Sequence, residues 1–201
     1  MTASKGRVRV WAFAAATAMP ALAWAQGNVV LTPEEQGFTV STPLYTARIL
    51  ADGSLHSLKV KDVELLDDAV GDSAGVYLFA NGPVQFARVE MLDAGTLRAT
   101  GEDAELTYKF TQNAITIEAE QSRSALGYVF LVLSEEIERA NNLSGPGSVK
   151  GIANGWWRVV RFVAKSGPVL HVGGLTRVSG PWPDAKNPRQ RCQANVAEGQ
   201  T

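Results

Sequence analysis

The stretch that most constrains this chain is AELTYKFTQNAITIEAEQ, Ala104 to Gln121. Leu106, Tyr108 and Phe110 alternate with Thr107, Lys109 and Thr111. After Gln112-Asn113, Ile115, Ile117 and Ala119 alternate with Thr116, Glu118 and Glu120. A period of two on both sides of a short polar turn predicts a β-hairpin with one buried face and one wet face. A lone hairpin is marginal in water, so its apolar side needs a second layer. The expectation is an all-β fold, an antiparallel β-sandwich of ten or eleven strands with at most one short helical turn.

The first 25 residues have a different logic. Lys5, Arg7 and Arg9 make a basic start, Val10 to Leu22 is almost wholly apolar, and Ala23-Trp24-Ala25 puts small residues where signal peptidase reads. That is the three-part layout of a secretory leader, cut between Ala25 and Gln26. The apolar run is shorter than the roughly 20 residues a membrane span needs, and Pro20 interrupts it. The layout is of bacterial type, so the expected address is the periplasm or the outside. Residues 1–25 hold three of the 19 Lys+Arg and none of the 20 Asp+Glu, leaving 16 basic against 20 acidic residues, a net charge of −4. A mildly acidic domain without a basic stripe argues against nucleic acid or an anionic membrane as partner. The single cysteine, Cys192, cannot close an internal disulfide, so a domain of this size must stand on its core.

Residues 26–37 read as a lead-in, 38–180 as one sandwich domain and 181–201 as a flexible tail. Within the domain, Phe38–Val40 and Tyr45–Leu50 read as strands split by Thr42-Pro43, where proline cannot donate to a ladder. Ala51-Asp52-Gly53 supplies a turn into Leu55–Val60 and Val63–Leu66. Asp67, Asp68 and Asp72 sit in a polar loop whose spacing lacks the ligand pattern of a calcium loop. Tyr128 to Leu133 is apolar on both faces and predicts a central strand covered from both sides. Ser134 to Asn142 reads as the one helical turn, capped by Ser134. Trp156–Ala164 and Val169–Val172 read as two further strands. From Gly180 onward, prolines and polar residues without periodicity predict a tail.

The sequence has no nucleophile elbow, no C-x-x-C and no H-E-x-x-H, so the familiar hydrolase triads and zinc sites have no footing. No cofactor is implied. The two histidines, His56 and His171, lie in predicted strands among apolar residues, where a structural or surface role is commoner than a chemical one. The aromatic signal is better. Trp156-Trp157-Arg158-Val159-Val160-Arg161 puts adjacent tryptophans on opposite faces of a strand, with an arginine on each face. Tryptophan stacks on sugar C–H faces and guanidinium donates to hydroxyls or carboxylates. Trp156, Trp157, Arg158, Arg161 and His171 are therefore the candidate ligand-binding residues.

The run YTARILADGSLHSLKVKDVELL, residues 45–66, resembles the opening of galactose mutarotase-like sandwich domains. The matching residues are Asp52, Gly53, Ser57, Leu58, Val60, Glu64, Leu65 and Leu66. The resemblance implies a large antiparallel sandwich of the kind found in aldose epimerases, in accessory domains of polysaccharide lyases and glycoside hydrolases, and in periplasmic glucan-assembly proteins. Such epimerases use two histidines in characteristic motifs plus a carboxylate base, and those motifs are absent here. The resemblance thus implies a non-catalytic or shortened relative that binds carbohydrate. Two alternatives stay open. One is a carbohydrate-active epimerase or lyase using His171 or Tyr128 with Arg158 or Arg161. The other is an envelope interaction module that offers an edge strand to a protein partner.

Overall fold

In the computed structural model, the Ala104–Gln121 segment forms the antiparallel hairpin that its alternation demands. Leu106, Tyr108, Phe110, Ile115, Ile117 and Ala119 are buried, while Lys109 is exposed and Thr107, Thr116, Glu118 and Glu120 are partly so. The structure describes residues 6–15, 29–67, 74–80, 82–121, 127–142, 148–149, 159–179 and 190–196. In chain order the strands are β1 (Gly6–Ala15), β2 (Val30–Glu34), β3 (Gly37–Ser41), β4 (Thr46–Leu50), β5 (Leu55–Val60), β6 (Val63–Glu64), β7 (Val76–Phe79), β8 (Arg88–Asp93), β9 (Thr96–Thr100), β10 (Ala104–Phe110), β11 (Ala114–Gln121), β12 (Gly127–Leu133), β13 (Ile137–Asn142), β14 (Ser148–Val149), β15 (Val159–Ala164), β16 (Val169–Gly173), β17 (Arg177–Ser179) and β18 (Gln190–Val196). No helix occurs among the described residues, so none there is long and apolar enough to cross a membrane.

One sheet runs in the order β14-β13-β15-β16-β1-β11-β10-β9-β8, and a second runs β17-β18-β12-β7-β5-β4-β3-β2 with β6 attached to β5. The named strand pairs are all antiparallel. Alternate residues of both sheets meet in a single apolar cluster: Leu106, Tyr108, Ile117, Phe162 and Leu170 from the first, Ile49, Leu58, Leu78, Leu131 and Cys192 from the second. Mutual burial of apolar faces is what holds such layers together.

The segment resembling the mutarotase-like opening has a local explanation. Lys61 and Asp62 both take positive φ, 51° and 65°, the signature of a tight two-residue hairpin turn between β5 and β6. The Glu64 carboxylate accepts the Leu58 N–H at 2.8 Å, the Leu66 N–H at 3.1 Å and the Ser57 hydroxyl. It satisfies backbone donors that the short β6 leaves over.

Two expectations change. Ser134–Asn142 is not helical: β13 pairs with β15, and a bulge between Ile137 and Arg139 brings Ile137 and Ala140 to the core three residues apart. That spacing imitates a helical stripe, but a bulge produces it. The Ser134 hydroxyl donates to the Glu64 carbonyl at 2.7 Å instead of capping a helix. Secondly, Gln190–Val196 of the expected tail is β18, paired with β12 and β17, with Cys192, Ala194 and Val196 buried in alternation. Gly6–Ala15, within the stretch expected as a leader, forms β1, with Val10 and Ala12 in the shared core. The strands number eighteen among the described residues, more than the ten or eleven expected; β1, β2, β13, β14 and β18 all lie in stretches that the sequence did not mark as strands.

Candidate functional site

Of the five residues singled out from sequence, Trp156, Trp157 and Arg158 lie outside the described residues. Arg161 and His171 are direct cross-strand partners on β15 and β16. Their neighbours Val160, Phe162, Leu170 and Val172 belong to the core, so both face away from it. Burial, and then the positive charge of Arg161, hold the His171 imidazole below its ordinary pKa. Tyr128, the alternative to His171 as the group acting with an arginine, is on β12 of the other sheet, also turned away from the core, where its ring packs on Phe130. Arg161 and His171 are brought together; Tyr128 is not brought to them.

A different cluster converges in a cleft of about 580 Å³, of the size that holds a small ligand. Its origin is local. The β4–β5 register passes from Arg48 opposite Ser57 to Ile49 opposite Leu55, leaving His56 as an extra residue. Such a bulge re-aims a side chain. Leu55 and Leu58 stay in the core while His56 and Ser57 both turn outward, half-buried. Beside them, Gly75 has φ +65°, and a Cβ there would stand 2.2 Å from the Leu55 carbonyl oxygen. Only glycine lets the neighbouring chain approach β5 this closely.

Arg48, Asp52, Ser54, His56, Gln85 and the buried Tyr77 line the cleft with polar groups; Leu50 and Val84 give it apolar surface, and the buried Leu78 and Phe86 complete its lining. The 51–54 turn is locked from several sides. Asp52 accepts the Ser54 N–H at 2.9 Å and its hydroxyl at 2.7 Å, and the Phe86 N–H donates to the Asp52 carbonyl at 3.2 Å. From the core side, the buried Tyr108 hydroxyl donates to the Gly53 carbonyl at 2.6 Å. Tyr77 is positioned by Arg191, which donates to its hydroxyl at 2.8 Å while stacking 3.4 Å over the Phe130 ring. Burial raises the Tyr77 hydroxyl above its ordinary pKa, and Arg191 opposes that shift. Among the described residues Arg48, its side chain 43% exposed, reaches only a loose ion pair with Glu34 at 3.7 Å, which leaves guanidinium donors that a ligand could use.

No protein-family model matches the chain, and no curated protein sequence matches it. The function is therefore read from the cleft's own chemistry. Guanidinium, imidazole, hydroxyl and amide groups beside a phenyl ring suit a small polyhydroxylated molecule with apolar C–H faces. The sequence alone did not single out Arg48, Tyr77, Gln85 or Phe86, and it read His56 as a structural or surface histidine. One signal was present: Leu55 and Leu58 are three apart where strict alternation requires two. Among the described residues no group of three His, Cys, Asp or Glu side chains could hold a metal. Of the polar loop's carboxylates only Asp67 is described, and it is buried.

Proposed function

We propose that this chain is an exported, periplasmic or secreted β-sandwich protein of galactose mutarotase-like type that binds a glycan in the Arg48–His56–Tyr77 cleft without turning it over. The observation that carries the reading is the β5 bulge, which sends His56 out of the sheet's alternation into a cleft already furnished with arginine, tyrosine and phenylalanine. Two antiparallel sheets sharing one core suit a sandwich. The Asp52 carboxylate is engaged within its own turn, whereas glycoside hydrolysis asks for two carboxyl groups flanking the scissile bond. That favours holding over hydrolysing.

The test is calorimetric titration of the full chain with a panel of neutral and acidic oligosaccharides. Binding by at least one of them is expected, weakened about tenfold or more by Arg48→Ala or His56→Ala, the scale of a hydrogen bond to a charged or buried group. Arg161→Ala leaves it unchanged. A flat panel removes the reading, and loss of binding in Arg161→Ala alone moves the site to the Arg161–His171 face.

A further inference from the structure

The first sheet is two antiparallel halves joined by one strand. β8 to β11 pair in sequence on one side, and β13 to β16 form the other. Among the described residues the ladder between them runs only through β1, which pairs with β11 over eight residues and with β16 over five. The strand that stitches the sheet is the same segment that carries the basic start and early apolar run of a leader. If the leader is removed, the lane between β11 and β16 loses its occupant, and both strands present unpaired N–H and C=O groups. Closing the lane would slide half the sheet by about 5 Å over a core that already fills the space.

The lane has a definite chemistry. Along β11, Ile115, Ile117 and Ala119 are buried and alternate with the half-buried Thr116, Glu118 and Glu120. The register sets Ala12 opposite Ile115, Val10 opposite Ile117 and Val8 opposite Ala119; on the intervening positions it sets Arg9 opposite Glu118 and Arg7 opposite Glu120. On the far side, Ala12 is opposite Val172 and Ala14 opposite Leu170, both in the core. Glu120 also stands opposite Glu105 on β10, a like-charge pairing that favours a basic residue on the other flank.

We infer that the β11–β16 lane is a strand-accepting site: β1 fills it in the full chain, and after leader removal it takes an extended segment of a partner protein with the same pattern. That segment runs antiparallel to both neighbours, carries small or β-branched apolar residues opposite Ile115, Ile117 and Ala119, and carries basic residues opposite Glu118 and Glu120. Backbone pairing on both sides supplies affinity and the alternate side chains supply selectivity. The inference rests on the leader reading but not on glycan binding.

The experiment uses the full chain with a protease site placed in the 16–28 stretch, folded and then cut. The cut protein is unfolded in urea and refolded with equal excesses of two labelled peptides, GRVRVWAFAA and its R7E/R9E variant. Incorporation of the first is expected to exceed that of the second about tenfold, from two like-charge contacts, and to reverse on the Glu118→Lys/Glu120→Lys protein. Equal incorporation, or a refolded sheet that takes up neither peptide, overturns the lane. A second measurement needs no refolding with peptide: in the uncut chain, R7E/R9E combined with E118K/E120K should recover part of the urea midpoint that each pair loses, and strictly additive losses overturn the pairing. N-terminal sequencing of the exported protein separates the two premises. A start at Gln26 supports the inference, and an exported chain that keeps Gly6–Ala15 overturns it through the leader while leaving the glycan titration untouched.

Discussion

Tyr108→Phe isolates one hydrogen bond that ties the central hairpin to the cleft. Tyr108 is fully buried, its ring stacked on Phe110 at 6.2 Å, and its hydroxyl donates to the Gly53 carbonyl at 2.6 Å. Burial, reinforced by the Asp52 charge, pushes the Tyr108 pKa up, so the group is a neutral donor throughout the working range. Phenylalanine keeps the ring and the packing but strands a buried carbonyl, which costs about 1–3 kcal/mol. Taking about 2 kcal/mol as the centre, a domain of this size loses roughly 4–8 °C in Tm. The assay is urea unfolding followed by fluorescence, with an unchanged slope and a lowered midpoint. Tyr45→Phe is the matched control: its buried hydroxyl donates to the carbonyls of Thr111, at 2.8 Å, and Ala114, at 3.2 Å, around a different turn. Both variants lose stability, but only Tyr108→Phe loosens the 51–54 turn and weakens the ligand. A loss below about 0.5 kcal/mol in Tyr108→Phe would refute the argument, since surface-like substitutions fall in that range. So would equal weakening of the ligand by both variants.

Gly75→Ala places a methyl group 2.2 Å from the Leu55 carbonyl at a φ of +65°; denaturant unfolding should show a loss of about 2 kcal/mol or more, and His56 should leave the cleft with the displaced β5. His171 has a folded-state pKa below its unfolded value, so the unfolded chain binds more protons and stability falls as pH drops through about 6.5. Followed by proton NMR, the imidazole of His171 should titrate higher in Arg161→Gln, and an unmoved titration would deny the Arg161 contribution. Cys192 is fully buried and its thiol pKa is pushed up by that burial, so iodoacetamide at about pH 8 should label it only after denaturation; rapid native labelling would place β18 outside the core.

The parts of the fold that were legible from sequence are those where side-chain period equals backbone period. The Ala104–Gln121 hairpin reads directly, because every second residue is buried without interruption. β12 reads as covered on both faces, and Val129, Phe130, Leu131 and Val132 are buried as that reading requires. Reading failed where a bulge shifts the phase. Ile137 and Ala140 mimic a helical interval, and Leu55 and Leu58 disguise the outward turn of His56. It failed again where burial uses small or sulfur-bearing residues: Cys192 and Ala194 alternate with Gln193 and Asn195 after a proline-rich approach, and composition outweighed the pattern. β1 lies in a stretch whose apolar run serves a leader and a strand equally well. As for the site, convergence of Arg48, His56, Tyr77 and Phe86 depends on a loop folding over a turn, which no local period encodes. Arg161 and His171 were singled out separately from sequence; that they are cross-strand partners is set by the β15–β16 register, which no local period encodes.

The most direct test of the account is an NMR titration of the isotopically labelled full chain with the tightest-binding oligosaccharide of the panel, following backbone amides. The cleft account predicts saturable shifts concentrated at Arg48, Ser54, His56, Tyr77 and Gln85, with Arg161 and His171 unmoved. Shifts centred on Arg161 and His171, or no saturable shift with any oligosaccharide, would contradict it.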